Sequence, residues 1–143
     1  MVRPMILVLG LLLSTCLFKS DLAAQQRAES GSMTQVFEHR TYTTHPGRLD
    51  ALLRRFRDHT TRIFAKHGML NVGYWVPKDP PLSENTLIYI LAYPSMEARE
   101  ASWAAFRADP DWVEARTASE LDGPINIGVE SFFMDPTDFS AIR

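Results

Sequence analysis

Residues 46–68 read PGRLDALLRRFRDHTTRIFAKHG, and this stretch decides the fold. At about 100° per residue, Leu49, Leu52, Leu53, Phe56, Thr60, Ile63 and Phe64 fall on one side of a helix, and Arg54, Arg55, Asp58, Thr61, Arg62 and Lys66 on the other. The pattern predicts an amphipathic helix with one buried stripe. Pro46 marks its start, where a missing N–H costs little, and Gly68 its stop, because glycine takes the left-handed conformation just past a last turn. Lys66 and His67 sit where the negative end of the helix dipole favours positive charge. The rest of the chain reads as strands and a second helix packed around this one.

A chain of 143 residues, 45% apolar and 10% aromatic, has room for one domain with a real core. Its 15 basic and 17 acidic residues leave a net charge of −2, with no run or tail of either sign. Phosphate binding needs a basic surface, so nucleic acid is not an expected partner.

The first residues read differently. Arg3 supplies one positive charge, residues 5–18 are nearly continuous Leu, Ile and Val, and Leu22, Ala23 and Ala24 offer small residues before Gln25. Those are the three zones of a secretory signal peptide, so residues 1–24 are expected to be cleaved near Ala24 and the product to be secreted or periplasmic. The apolar run is shorter than the about 20 residues that span a bilayer. Cys16, the only cysteine, raises lipidation as an alternative. Thr15 does not suit the small residue expected before a lipidated cysteine, so no membrane attachment is expected after cleavage unless Cys16 carries lipid. No disulfide can form within the mature chain. Residues 25–35 are polar, a flexible leader ahead of a domain over residues 36–143.

Residues 36–43, 70–76, 86–93 and 126–134 are rich in β-formers and predict four strands. Residues 78–85, with Pro80 and Pro81, read as an exposed loop. Ser95 is a good cap for a helix through Arg107, with Ala98, Ala101 and Ala105 as a small-residue stripe facing a sheet. Asp109 and Pro110 restart that helix to about Glu120. The order strand, helix, strand, strand, helix, strand predicts an α+β fold, a ferredoxin-like βαββαβ domain. Two helices cover only one face of such a sheet, and the other should then be polar. Leu87, Tyr89, Leu91 and Tyr93 instead make a large apolar face, which is expected to be hidden by a second copy in a face-to-face homodimer.

The runs EHRTYTTHPGRLDALLRRFRDHT, FAKHGMLNVGYW, SWAAFRADPDW and PTDFS, in this order, resemble the NIPSNAP family over nearly all of residues 36–140. The resemblance implies a dimeric α+β barrel, two ferredoxin-like sheets face to face, and no established catalytic activity. His39 departs from it, standing where the family usually has Leu in the first strand.

Alternation puts Glu38, Arg40 and Tyr42 on one face of the first strand, and Phe37, His39 and Thr41 on the other. A carboxylate, a guanidinium and a phenol turned toward a barrel interior can bind a small polar ligand, but buried charges are usually paired. The structural expectation is therefore a Glu38–Arg40 ion pair with a tyrosine hydroxyl. Arg40, Tyr42, Trp75 and Tyr89 form the candidate ligand-binding set. His39, His59 and His67 raise a metal site, yet no HxH, HxxxH or HExxH spacing supports one. The expectation is hydrogen bonding at the helix edge for His59, capping for His67, and no metal. Trp103, Phe106 and Trp112, with Trp75 and the tyrosines, could enclose a planar ligand, though aromatics at such spacing usually form core. No nucleophile elbow, CxxC or phosphate loop is present, and no cofactor is expected.

The leading expectation is a non-catalytic homodimeric barrel that binds a small molecule or a protein. The alternative is a cofactor-independent monooxygenase-like or isomerase-like enzyme, with Glu38, Arg40 and Tyr42 as acid–base and orienting groups. A cavity of several hundred cubic ångströms lined by those three would favour the enzyme. The export expectation is checked by mass spectrometry of the exported form, which should begin at Gln25.

Overall fold

Proline and glycine punctuate the chain where turns are needed, and between them four strands and the helices form. The structure is a computed structural model and describes residues 35–142. The expected signal segment, Cys16 and all of the leader but Gln35 lie outside the described residues. The strands are β1 (Val36–Thr44), β2 (Leu70–Trp75), β3 (Thr86–Tyr93) and β4 (Asn126–Met134). They make one antiparallel sheet in the order β2-β3-β1-β4, the ferredoxin-like α+β arrangement expected.

The organising helix runs as α1 (Leu49–Arg55), a π turn (Phe56–Thr60) and α2 (Thr61–Lys66). Its start differs from expectation. Pro46 and Gly47 form the turn before it, Gly47 at φ +74°, and Leu49 is the first helical residue. Gly68 stops it as expected, at φ +76°. In the π turn the Thr61 N–H reaches back to the Phe56 carbonyl, and Thr60 Oγ1 donates to the Arg55 carbonyl at 3.1 Å. Leu52, Phe56, Thr60, Ile63 and Phe64 are buried as the wheel predicts, but Arg55, placed on the solvent side, is buried too. A second helix packs on that flank, so the helix has two covered sides.

The expected loop at residues 78–85 contains a single helical turn, α3 (Leu82–Asn85). Helix α4 (Met96–Ala108) begins at Ser95, whose Oγ accepts from Ala98 N at 3.2 Å. It buries Trp103 and Phe106, not the alanine stripe; Ala101 and Ala105 are exposed. The aromatic pair removes far more apolar area from water than alanines do, and that decides which side turns inward. Helix α5 (Pro110–Ser119) follows with Pro110 at its first position, Asp109 Oδ1 accepting from Asp111 N at 2.9 Å.

The sheet faces are the reverse of the expectation. Leu87, Tyr89, Leu91 and Tyr93 are buried under the chain's own helices with Leu52, Phe56, Ile63 and Phe64. Glu38, Arg40 and Tyr42 lie on this helix-covered side as well, since register pairs them with Leu91, Tyr89 and Leu87. Both faces read apolar in sequence, so alternation separates them without saying which one is covered. The open face carries Trp75 (50% exposed), Leu70 (53%) and Phe132 (55%). Gly73 makes room there for the Trp75 indole, which would lie 2.5 Å from a Cβ at that position.

Asp109 joins α2 to α5. Its buried carboxylate takes Lys66 Nζ at 2.8 Å and His67 Nε2 at 2.6 Å as well as capping α5. The hydrogen bonds from Lys66, then His67, hold its pKa well below the ordinary 3.8, against the upward push of desolvation. A carboxyl depressed in the folded state adds stability above its ordinary pKa and loses it as pH falls through the folded value. Thermal melts should therefore drop as pH falls below about 4. Asp109→Asn should melt lower than the parent at neutral pH and change less on acidification.

Candidate functional site

Glu38 sits in β1 with no solvent exposure, and a carboxylate there must be matched by donors. Four residues supply five hydrogen bonds. Arg40 Nη1 donates to Oε1 at 2.5 Å and Arg99 Nη2 to Oε1 at 2.9 Å; Arg99 Nε donates to Oε2 at 3.2 Å, the Tyr93 hydroxyl at 2.9 Å and Trp103 Nε1 at 3.1 Å. Burial alone pushes the Glu38 pKa up; the Arg99 hydrogen bonds, then the charge and hydrogen bond of Arg40, reverse this and leave it below its ordinary value. Glu38 is thus an ionised carboxylate with its lone pairs used. The expected Glu38–Arg40 pair is present, and Arg99 of α4 and Trp103, which strand alternation could not reveal, complete it.

Arg40 also donates through Nε to the Tyr89 hydroxyl at 3.0 Å. Desolvation lowers its pKa, but Tyr89, Tyr42 and Glu38 outweigh that and raise it. The phenols move the same way. Burial, then the neighbouring Tyr42, raises Tyr89 far above its usual range, and burial followed by Glu38 raises Tyr93. None of these groups is poised to exchange a proton near neutral pH.

Beside this cluster, lined by residues of β1, α1, α4, α5 and the start of β4, lies a cleft of about 480 Å³. Arg40 and Tyr42 line it; Glu38 does not. The Arg40 guanidinium lies 4.5 Å from the Trp103 ring centre. Arg55, turned inward beside the π turn, lies 5.3 Å from the Trp112 ring centre. Arg55 Nη1 donates to Ser119 Oγ at 3.2 Å and to Glu120 Oε1 at 3.1 Å. Its buried Nε has no hydrogen-bond partner among the described residues, and neither does the buried Asn126 Oδ1, also in the lining. Arg99, Arg107 and Arg116 bring the guanidiniums to five, against Glu120 as the one lining carboxylate. The sequence, with its charges spread evenly along the chain, gives no sign of this concentration.

The NIPSNAP family model matches residues 37–141. The chain belongs to the NIPSNAP family. A NIPSNAP family protein of unknown function from Agrobacterium tumefaciens superposes with a TM-score of 0.67 at 27% identity, over 78% of this chain and 96% of that one. An uncharacterised NIPSNAP-like domain protein from Burkholderia xenovorans gives 0.65 at 21% identity, over 76% and 90%. SnoaB, a cofactor-independent oxygenase from Streptomyces nogalater, gives 0.51 at 14% identity over 77% and 99%, a likeness of fold alone. These neighbours place the NIPSNAP domain among folds of the dimeric α+β barrel type. No curated relative matches the chain.

The remaining candidates of this NIPSNAP chain scatter. Trp75 lies on the open face, across the sheet from Arg40, Tyr42 and Tyr89, so the four expected ligand contacts do not form one site. Tyr89 is wholly buried and does not line the cleft, which is walled instead by Trp103 and Trp112. His39 stacks on Phe132 at 4.5 Å on the open face, His59 is exposed rather than near the buried side because the π turn rotates it outward, and His67, besides ending α2, pairs with Asp109. The three histidines do not meet. A second hollow, of about 310 Å³, lies on the open face between Phe37, Val72, Ile90 and the C-terminal segment, with Asp135 as its one charged residue. The helix-side cleft is the candidate site, because five guanidiniums and the rings of Trp103, Phe106 and Trp112 converge there.

Removing the central charge should unmake it. Glu38→Gln leaves Arg40 without a counter-charge and Arg99 with Glu100 alone, and should cost about 3 kcal/mol in urea unfolding, the lower end for broken buried ion pairs.

Proposed function

We propose that this chain is an exported, homodimeric and non-catalytic NIPSNAP protein that holds a small molecule in the helix-side cleft. The observation that carries this reading is the separation of the cleft from Glu38, the base the enzyme reading calls for; the lining carboxylate, Glu120, is held by Arg55 and Arg116. Glu38 lies outside the lining with five donors on its oxygens, so it has no lone pair to offer a ligand as a base. Arg40 stays charged and Tyr42 has no base of its own to take its proton. What remains is a recess of binding-site size, with an aromatic wall and a few convergent polar groups. The oxygenase alternative gains only a shared fold from SnoaB, and fold does not carry chemistry.

The homodimer rests on the open face. Leu70, Trp75 and Phe132 stand about half exposed there beside Ile88 and Ile90, an apolar surface that a second copy of the sheet would cover. The apolar residues that first called for a partner are buried internally, and this other set replaces them. The signal-like character of residues 1–24 supports export.

A thermal-shift screen of small aromatic compounds, charged and neutral, tests the binding reading. At least one should raise the melting temperature of the parent, raise that of Trp112→Ala less, and be recovered unchanged. A screen that moves neither protein, or both alike, overturns it, as does a ligand recovered as product. Sedimentation should give a dimer for the parent and a monomer for Phe132→Glu; a monomeric parent removes the homodimer.

A further inference from the structure

We infer that the ligand of the cleft is a small planar organic anion, an aromatic or heteroaromatic carboxylate held by arginines against an aromatic wall. This rests on the cleft being a binding site and specifies what it selects. Five guanidiniums line or close it. Glu38 neutralises part of the charge of Arg40 and Arg99, Glu100 pairs with Arg99 at 2.7 Å, and Glu120 is shared by Arg55 and Arg116. Three carboxylates against five cations still leave a net positive recess on a chain whose overall charge is −2. Like charges gathered in a half-enclosed space repel one another, and an incoming anion removes that repulsion.

One of the cations has its bonding capacity left. Arg107 stands at the rim with no acidic partner among the described residues. Arginine's planar fork matches the two oxygens of a carboxylate, which a single ammonium does not. The aromatic residues set the remainder of the ligand. Trp103, Phe106 and Trp112 line the same space as one wall, Phe106 and Trp112 packed together with ring centres 4.5 Å apart, and an apolar aromatic surface of this kind favours a ring over a flexible chain or a bare inorganic anion. A volume of about 480 Å³ admits one or two fused rings with their substituents, and no polymer.

Naphthalene-2-carboxylate and its neutral isostere naphthalene-2-carboxamide separate the contributions in calorimetric titrations of the full chain. The carboxylate should bind about tenfold more tightly than the carboxamide, and added salt should weaken the carboxylate alone. Arg107→Gln, at an exposed position that leaves the core intact, should weaken the carboxylate severalfold and leave the carboxamide unchanged, with inorganic phosphate binding far more weakly than either. Equal affinity for carboxylate and carboxamide overturns the anion selection while leaving the cleft as a binding site. Inorganic phosphate binding as tightly as the carboxylate overturns the requirement for a ring. Failure of both naphthalenes to bind, or binding that Trp112→Ala leaves untouched, overturns the cleft itself.

Discussion

The structure turns on one buried carboxylate. Glu38 has no solvent exposure, and an ionised group in that position is tolerable only if its oxygens are fully engaged. Its partners come from three elements: Arg40 from the same strand, Tyr93 from the neighbouring strand, and Arg99 and Trp103 from α4. Satisfying one charge therefore docks a helix onto the sheet at one height and rotation. Trp103 shows how closely this is specified, for its indole N–H reaches both Glu38 and the Tyr93 hydroxyl while its ring underlies Arg40. A hydrophobic contact in the same place would tolerate sliding; a set of directional hydrogen bonds does not.

The same constraint makes the cleft. Drawing Arg40 and Arg99 toward Glu38 places two guanidiniums in its lining, and the π turn in the first helix brings in Arg55. A regular helix keeps 3.6 residues per turn, and the extra residue of the π turn changes which side chains face the neighbour, sending His59 out to solvent while Arg55 meets α5. Capping by Asp109 sets where α5 begins, and so where Trp112 and Glu120 stand against Arg55. The cleft is thus a by-product of three local devices, each with its own structural reason.

The sheet keeps its two faces for different purposes. The covered face holds the core and the polar cluster, and the open face presents Trp75 and Phe132 to the outside. The apolar open face is made by residues other than the tyrosine-rich set of β3.

Local order was legible from residues 46–68 and the prolines onward. Hydrophobic period, cap residues and turn formers act over a few positions, so β3 and β4 fall at the residues expected, and Ser95, Asp109 and Gly68 cap or stop helices as their chemistry dictates. The chain's family membership was legible for a related reason, since its runs keep their order. The Glu38–Arg40 pair was also readable, because two residues apart on a strand are neighbours on one face. What alternation cannot say is which face the helices cover, and Leu87, Tyr89 and Leu91 went under the chain's own helices for that reason. Nor can it show that Arg55, Arg99, Arg107 and Arg116 gather around Trp103 and Trp112. Those residues come from separate helices, and a charge spread evenly in sequence becomes a concentrated patch only when packing brings its carriers together.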